Sequence, residues 1–305
     1  DSSYSSLNSS TFTRKSWIVE PKLVWEKTLG SGVLNVLFGS TFEERTQQLM
    51  SISATNFTSN EFIYNAANAL NQVITKDTES IYRYAAIFGR INYIHNRKYI
   101  VNITGRRDGS SRFGPNNRFA NFGAVGAAWL FSREKVIENG SWISFGKLRA
   151  SYGIAGSDLI GDYQYLNTLG ITANRYDETV GLQPLRLFNP NFSWETNKKI
   201  ETALELEFFE GRIAANIMYY RNRSSNQLVG IPLPGTTGFN SVQANLNATI
   251  ENVGWEFTLR STNTVKALKW STDINLTLPK NKLVSFPNLQ ESTYANQYVI
   301  GQPVT

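Results

Sequence analysis

From Asn197 to Arg223 the chain reads NKKIETALELEFFEGRIAANIMYYRNR, and this stretch restricts the possible folds more than any other. Ile200, Thr202, Leu204, Leu206 and Phe208 fall on one face while Lys199, Glu201, Glu205 and Glu207 fall on the other, the period of two that belongs to a β-strand. Glu210-Gly211 then supplies a turn, its glycine tolerating the positive φ of a tight hairpin, and Ile213, Ala215, Ile217 and Tyr219 resume the apolar face. Each strand is about ten residues long, enough to cross a bilayer core when tilted. An acidic face opposite an apolar one is costly in a dry core and tolerated in a wet lumen. The hairpin therefore predicts the wall of a transmembrane β-barrel.

Composition agrees with that reading. At 305 residues, the chain is long enough to bury a large soluble core, yet only 18% of it is charged and 13% is aromatic, which suits strands greasy on one side and polar on the other. No α-helical span is expected: the run Phe119 to Phe131 falls short of the roughly 18 apolar residues needed. The absence of cysteine excludes a disulfide framework, a thiol nucleophile and thiolate metal ligation. A net charge of +6 is spread along strands and loops rather than gathered into a stripe, which argues against nucleic acid as a partner.

Along the chain, short and long connections alternate. SWIVEPKLVWEKT (Ser16 to Thr28) reads as a strand interrupted at Pro21, followed by a turn at Gly30-Ser31-Gly32 and a strand through Leu34, Val36 and Phe38. Thr41 to Glu79 reads as a long polar loop with helical turns near Glu61 to Ala69. A hairpin turning at Asn96-Arg97 leads to a loop at Arg106 to Arg118. The strand Phe119 to Trp129 follows, then a connection near Glu138 to Gly140 and a strand through Leu148, Ala150, Tyr152 and Ile154. Gly156 to Thr196 and the uncharged Ser224 to Ile250 read as further long loops around the opening hairpin. Two more strands, centred on Trp255 to Leu259 and Trp270 to Leu278, meet at a short turn at Lys266-Ala267. The expectation is an all-β fold: an antiparallel transmembrane barrel segment of about ten strands, with residues 1–305 forming one partial barrel domain. Trp25, Tyr93, Tyr99, Trp129, Trp142, Phe208 and Trp270 lie near the short turns and predict an aromatic girdle there; Phe119, Tyr152, Tyr219, Tyr220 and Trp255 predict one at the loop end.

Signals for covalent chemistry are weak. His95, the sole histidine, sits beside a turn without an acid–nucleophile set, and GSWISFGKL (Gly140 to Leu148) lacks the spacing and hydroxyl of a phosphate loop. Glu201, Glu205 and Glu207 are expected to line the lumen, paired with neighbouring Lys and Arg. Arg106, Arg107, Arg112 and Arg118 form a basic loop with a structural role favoured over contact with an anion. The substrate-contact candidates are Asp158, Asp162, Tyr163, Tyr165, Tyr176 and Asp177, where aromatic faces suited to sugar rings or peptide side chains mix with carboxylates; an ordinary extracellular loop is the other reading. No catalytic, cofactor-binding or metal-ligating residue is expected.

RRDGSSRFGP (Arg106 to Pro115), NPNFSWET (Asn189 to Thr196), FFEGRI (Phe208 to Ile213), LPGTTGF (Leu233 to Phe239), IENVGWEF (Ile250 to Phe257) and GQPV (Gly301 to Val304) occur in an order that resembles the SusC/RagA family of TonB-dependent outer-membrane transporters of Bacteroidetes. The resemblance runs from about Leu23 to Pro303. It implies a barrel of about 22 strands in the bacterial outer membrane, closed by a plug, lidded by a SusD-like surface lipoprotein and energised by TonB. The implied cargo is oligosaccharide or peptide, with no enzyme activity and no cofactor. A scaffold for surface lipoproteins or an assembly complex is the alternative role. Plug, N-terminal extension and closing C-terminal strands have no counterpart in these residues, so the stretch is expected to be a middle section of the barrel, with lipid against its outer face.

Overall fold

A computed structural model of the chain describes residues 5–138, 142–171, 179, 181–187 and 189–304. Thirteen β-strands occur among them: β1 (Ser6–Val19), β2 (Lys22–Leu29), β3 (Gly32–Phe57), β4 (Ala69–His95), β5 (Tyr99–Ser110), β6 (Phe119–Trp129), β7 (Ile143–Ser157), β8 (Leu169–Ile171), β9 (Leu182–Pro184), β10 (Glu195–Phe208), β11 (Ile213–Pro232), β12 (Ser241–Val265) and β13 (Lys269–Ser285). The chain divides into two compact units, Asp1–Glu20 with Thr41–Ala85, and Pro21–Ser40 with Ala86–Thr305. In the first, β1 pairs antiparallel with the outer half of β3, from Ser6 against Thr55 to Val19 against Phe42. Cross-strand polar contacts hold this sheet: Arg83 Nε to Glu44 at 2.7 Å, Gln48 Nε2 to Glu79 at 2.6 Å, and the Arg45 guanidinium 5.4 Å from the Tyr82 ring centre.

The second unit is a single antiparallel sheet in the order β2-β3-β4-β5-β6-β7-β10-β11-β12-β13, with β8 and β9 forming a separate small hairpin in the connection between β7 and β10. Ten sequential strands pair with their neighbours, as the ten apolar runs of the sequence predicted. The break at Pro21 holds too, since β1 and β2 stop on either side of Glu20-Pro21 and both pair with β3. The turns are those the sequence marked. Asn96 and Arg97 both take positive φ (51° and 57°), the mirror-image turn whose twist suits two-residue hairpins. Gly211 takes φ 82° after Phe209 and Glu210, also left-handed, and L-residues adopt that region only at a cost.

Three long-loop expectations are corrected. Thr41 to Glu79 is mostly strand: β3 runs to Phe57 and β4 starts at Ala69, leaving 58–68 as the connection, with single 3₁₀ turns at Asn60–Phe62 and Ala66–Asn68. The stretch Ser224 to Ile250 is likewise strand on both sides of a connection at 233–240, and β5 extends through Arg106 to Ser110. The reason is the same each time. Beyond the width of a bilayer both faces of a strand meet water, so the apolar period that marks a strand disappears while main-chain pairing continues.

The two faces differ as the opening hairpin requires. On one, Ile200, Trp255, Leu259, Ile274, Leu276 and Leu278 are exposed, a surface suited to hydrocarbon. On the other, Glu205 accepts from Lys147 Nζ (3.2 Å) and Arg149 Nε (3.0 Å), and Arg149 Nη1 lies 3.5 Å from Glu201. Ala203 is buried beside this network. The lumen-lining pairing expected of the glutamates is present at Glu201 and Glu205, while Glu207 has no ion-pair partner among the described residues.

At the short-turn end, the connection from β6 to β7 carries a 3₁₀ turn (Phe131–Arg133) and the short helix α1 (Lys135–Glu138). Glu134, between them, accepts from Lys98 Nζ at 3.0 Å, Tyr99 Oη at 2.8 Å and Trp129 Nε1 at 3.2 Å, so two girdle aromatics and a neighbouring turn share one carboxylate. Trp142 stacks on Phe208 with ring centres 5.0 Å apart. Hydrogen bonds from Lys98, Tyr99 and Trp129 hold the Glu134 carboxyl down at about 2, against an ordinary 4.5. A group whose folded-state pKa is depressed contributes its stability fully above the ordinary value and loses it as pH falls through the folded value. Glu134→Gln is therefore expected to lower the thermal unfolding midpoint of the barrel at pH 7, and the gap from the unchanged protein should close between about pH 4.5 and 2. Midpoints followed by intrinsic fluorescence at pH 7, 4.5 and 2 check this; a gap independent of pH would contradict the carboxylate's role.

Candidate functional site

The long-loop end of the second unit is built from the family-like motifs. RRDGSSRFGP leaves the membrane-crossing part of β5 as strand and then bends back at Ser110 to Gly114. Asp108, almost fully buried, accepts from Arg106 Nε at 2.7 Å. Ser110 Oγ donates to Asp158 Oδ2 at 2.7 Å, while Arg112 reaches Asp162 Oδ1 through Nε (2.9 Å) and the Asp158 main-chain oxygen through Nη1 (2.9 Å). Phe113 is fully buried against Phe192 (6.1 Å between ring centres) and Trp194 (5.0 Å), the aromatics of NPNFSWET. Trp194 Nε1 closes the clasp by donating to the Arg118 main-chain oxygen at 3.2 Å.

A second clasp joins NPNFSWET to the loop-end parts of β11 and β12. Asn245 Oδ1 accepts from Ser193 N at 2.8 Å and its Nδ2 donates to Ser193 O at 2.6 Å, a two-way bond from one side-chain amide to one residue's main chain. Asn189 Nδ2 donates to Gln243 O at 2.8 Å, and Asn226 Nδ2 to Trp194 O at 2.9 Å. Within LPGTTGF, Thr237 Oγ1 caps its own turn by donating to Pro234 O at 2.8 Å, and Gly238 takes φ 75°.

These clasps leave a groove of about 760 Å³ between the β8–β9 hairpin and LPGTTGF, lined by Gln164, Gln183, Arg186, Phe239, Asn240 and Gln243 among others. Side-chain amides both donate and accept, so such a lining can bond neutral hydroxyls or peptide groups without requiring a charged ligand. Arg186 is oriented by its Nε bond to Thr168 Oγ1 at 3.0 Å. Among the described residues no cluster of His, Asp and Glu could hold a metal ion.

The sequence candidates divide. Asp158 and Asp162 sit in the clasp with Ser110 and Arg112. Tyr165 lies against the backbone of RRDGSSRFGP, its Cδ2 3.4 Å from where a Cβ on Gly114 would stand, and Tyr163, with φ 60°, precedes the groove residue Gln164. Tyr176 and Asp177 lie outside the described residues. In the basic loop, Arg107 lies over the Phe119 ring and donates to Asn121 Oδ1 at 3.0 Å, so Arg106, Arg107 and Arg112 all serve contacts within the protein. The groove amides were missed because an isolated Gln in a polar loop carries no periodicity or motif; only the approach of residues 164, 183 and 243 distinguishes them.

A tall antiparallel sheet with an apolar outer face, a charged inner face, short turns at one end and clasped long loops at the other defines a wall of an outer-membrane β-barrel. The family described as TonB dependent receptor-like, beta-barrel matches residues 1–301, and the chain belongs to it. TonB-dependent receptor P26 of Formosa agariphila is 32% identical over 282 residues, covering 90% of this chain and 28% of that protein. TonB-dependent receptor SusC of Bacteroides thetaiotaomicron is 30% identical over 215 residues, covering 68% and 21%. Among solved structures, the RagAB peptide importer in its "closed-closed" state superposes with a TM-score of 0.86 at 23% identity over 95% of this chain and 32% of that one, a likeness of fold. The SusC/RagA resemblance and the outer-membrane location are thus borne out, and the family is one of receptors, not enzymes. The chain spans less than a third of the length of the relatives it matches.

Because Phe113 is the buried pivot of the first clasp, Phe113→Ala is expected to destabilise the loops by ~3–5 kcal/mol. The membrane ladders do not pass through it. Trypsin added to intact cells should cut after Arg112 or Arg118 in the variant and not in the parent, while the heat-modifiable barrel band on a gel stays unchanged.

Proposed function

We propose that these residues form wall and extracellular loops of a TonB-dependent importer of oligosaccharides or peptides, working with a SusD-like lipoprotein lid and driven by TonB through a plug outside this stretch. The observation that carries the reading is the groove at the loop end, lined by amides and one oriented arginine, in a chain that matches the TonB-dependent receptor family over residues 1–301. Capture is by binding alone. Amides would bond hydroxyls or peptide groups of cargo, Phe239 would offer an apolar face, and Tyr163 and Tyr165 flank Gln164 where they would extend the contact. The RagAB peptide importer, similar to this chain in fold, supports peptide-sized cargo over a small metal chelate.

Deletion of the gene is expected to abolish growth on one class of oligosaccharide or peptide; normal growth together with loss of surface lipoproteins from the membrane would instead establish a scaffold. In the whole transporter, Tyr163→Ala with Tyr165→Ala is expected to weaken cargo binding by ~2 kcal/mol or more, the usual cost of truncating a central aromatic contact. Unchanged affinity by calorimetry would remove these two residues from the site.

A further inference from the structure

The outward face of β10 to β13 changes character abruptly on moving toward the long loops. Residues paired across an antiparallel sheet point to the same side, so its ladders can be followed rung by rung. The rung Thr202–Tyr219–Trp255–Leu278 ends the apolar band. The next is Ile200–Arg221–Val253–Lys280, and the one beyond it Lys198–Arg223–Glu251–Lys282. No register shift separates Glu251 from Trp255, which keeps the whole set on the lipid side. Rungs on one face are about 7 Å apart and neighbouring strands about 5 Å, so five cations and one carboxylate share a patch roughly 15 Å wide.

The patch is organised rather than diffuse. Glu251, with 6% of its side chain exposed, accepts from Arg221 Nε and Arg223 Nε, both at 2.7 Å, and lies 3.2 Å from Lys282 Nζ. One buried carboxylate thus fixes three cations. Each guanidinium keeps further N–H groups beyond the Nε it gives to Glu251. Lys198 and Lys280 flank this centre, both exposed, and neither has an ion-pair partner among the described residues. Five positive charges against one negative leave the patch at about +4, held where the hydrocarbon surface stops and directly above Tyr219 and Trp255, whose rings pack 5.1 Å apart.

We propose that this double rung is a binding site for the phosphate of an outer-leaflet glycolipid, the lipid A portion of lipopolysaccharide. Its position selects the occupant. The cations face away from the lumen, out of reach of cargo, and stand at the height where lipid headgroups lie. A phosphate monoester there would meet forked guanidinium donors and two lysine ammonium groups, while its acyl chains lie along Trp255, Leu278 and the rungs below. Glu251 is a positioning residue that orders the arginines and keeps them from repelling one another.

The test uses the whole outer-membrane protein, purified in detergent and examined by native mass spectrometry with lipid A, dephosphorylated lipid A or inorganic phosphate added. Lys198→Gln with Lys280→Gln removes two charges without touching the Glu251 pairs. It is expected to weaken lipid A binding about thirty-fold, from the usual contribution of two basic side chains at a headgroup surface. Lys199→Gln, one residue along and on the opposite face, should leave binding unchanged, and all variants should keep the heat-modifiable barrel band. Dephosphorylated lipid A should bind parent and double variant alike, more weakly than lipid A binds the parent. The proposal is overturned if the double variant holds lipid A as the parent does, if the phosphate makes no difference to the parent, or if inorganic phosphate binds as tightly as the lipid.

Discussion

Main-chain hydrogen bonding without water is the constraint on which the rest of this structure depends. Hydrocarbon offers no partner to an amide or carbonyl, so each must be satisfied by a neighbouring strand wherever the sheet meets lipid. The register shifts respect this. Those between β11, β12 and β13 fall at Ser225/Gln227, Thr249/Ile250 and Thr262/Thr264, and that between β7 and β10 at Glu207/Phe208. The shifts at Glu207/Phe208 and Thr262/Thr264 lie near strand ends, and those at Ser225/Gln227 and Thr249/Ile250 lie beyond the Lys198–Arg223–Glu251–Lys282 rung, above the apolar band. The ladder of β11 with β12 runs unbroken from Ile213 against Ser261 to Ser225 against Thr249, about the length a tilted strand needs to cross a bilayer.

Once the ladders are continuous, side chains are sorted by face. Arg149 serves Glu201 and Glu205 on the lumen side, while Leu148 and Tyr152, its neighbours on the strand, go to lipid. On the outer face of β10 to β13, charge among the described residues is confined to the rungs above Trp255, where headgroups replace hydrocarbon. Each end of the sheet is closed by its own device. At the short turns one carboxylate, Glu134, ties the Lys98 turn to two girdle aromatics; at the loop end Phe113, Phe192 and Trp194 form a small dry core outside the membrane. Two of the family-like motifs, RRDGSSRFGP and NPNFSWET, meet at that second device and hold the loops, while the groove is lined mainly by residues outside the clasps.

What was legible in the sequence follows the same physics. Strand β6 occupies the run Phe119 to Trp129 that its pattern marked, and the turns at Asn96-Arg97 and Gly211 lie where short polar pairs interrupt apolar alternation. Thr41 to Phe57 was illegible because its many Thr, Gln, Arg and Ser residues break the apolar alternation, leaving main-chain pairing with β1 and β4 as the sign of a strand. Asp158 and Asp162 drew notice as carboxylates near tyrosines, yet their partners, Ser110 and Arg112, lie about fifty residues away, a distance that local pattern cannot span.

The sequence by itself determined the class of object. An alternating strand with leucines on one side and glutamates on the other has only one kind of place to stand, between lipid and a wet lumen, and ten such runs joined by alternating connections make a barrel wall. Tertiary structure alone decided how far the strands rise above the membrane, which loop residues meet across the groove, and that Lys198, Arg221, Arg223, Lys280 and Lys282 gather around Glu251. Those outcomes depend on register between strands, set by turns and main-chain bonds rather than by anything the residues in question reveal in sequence order.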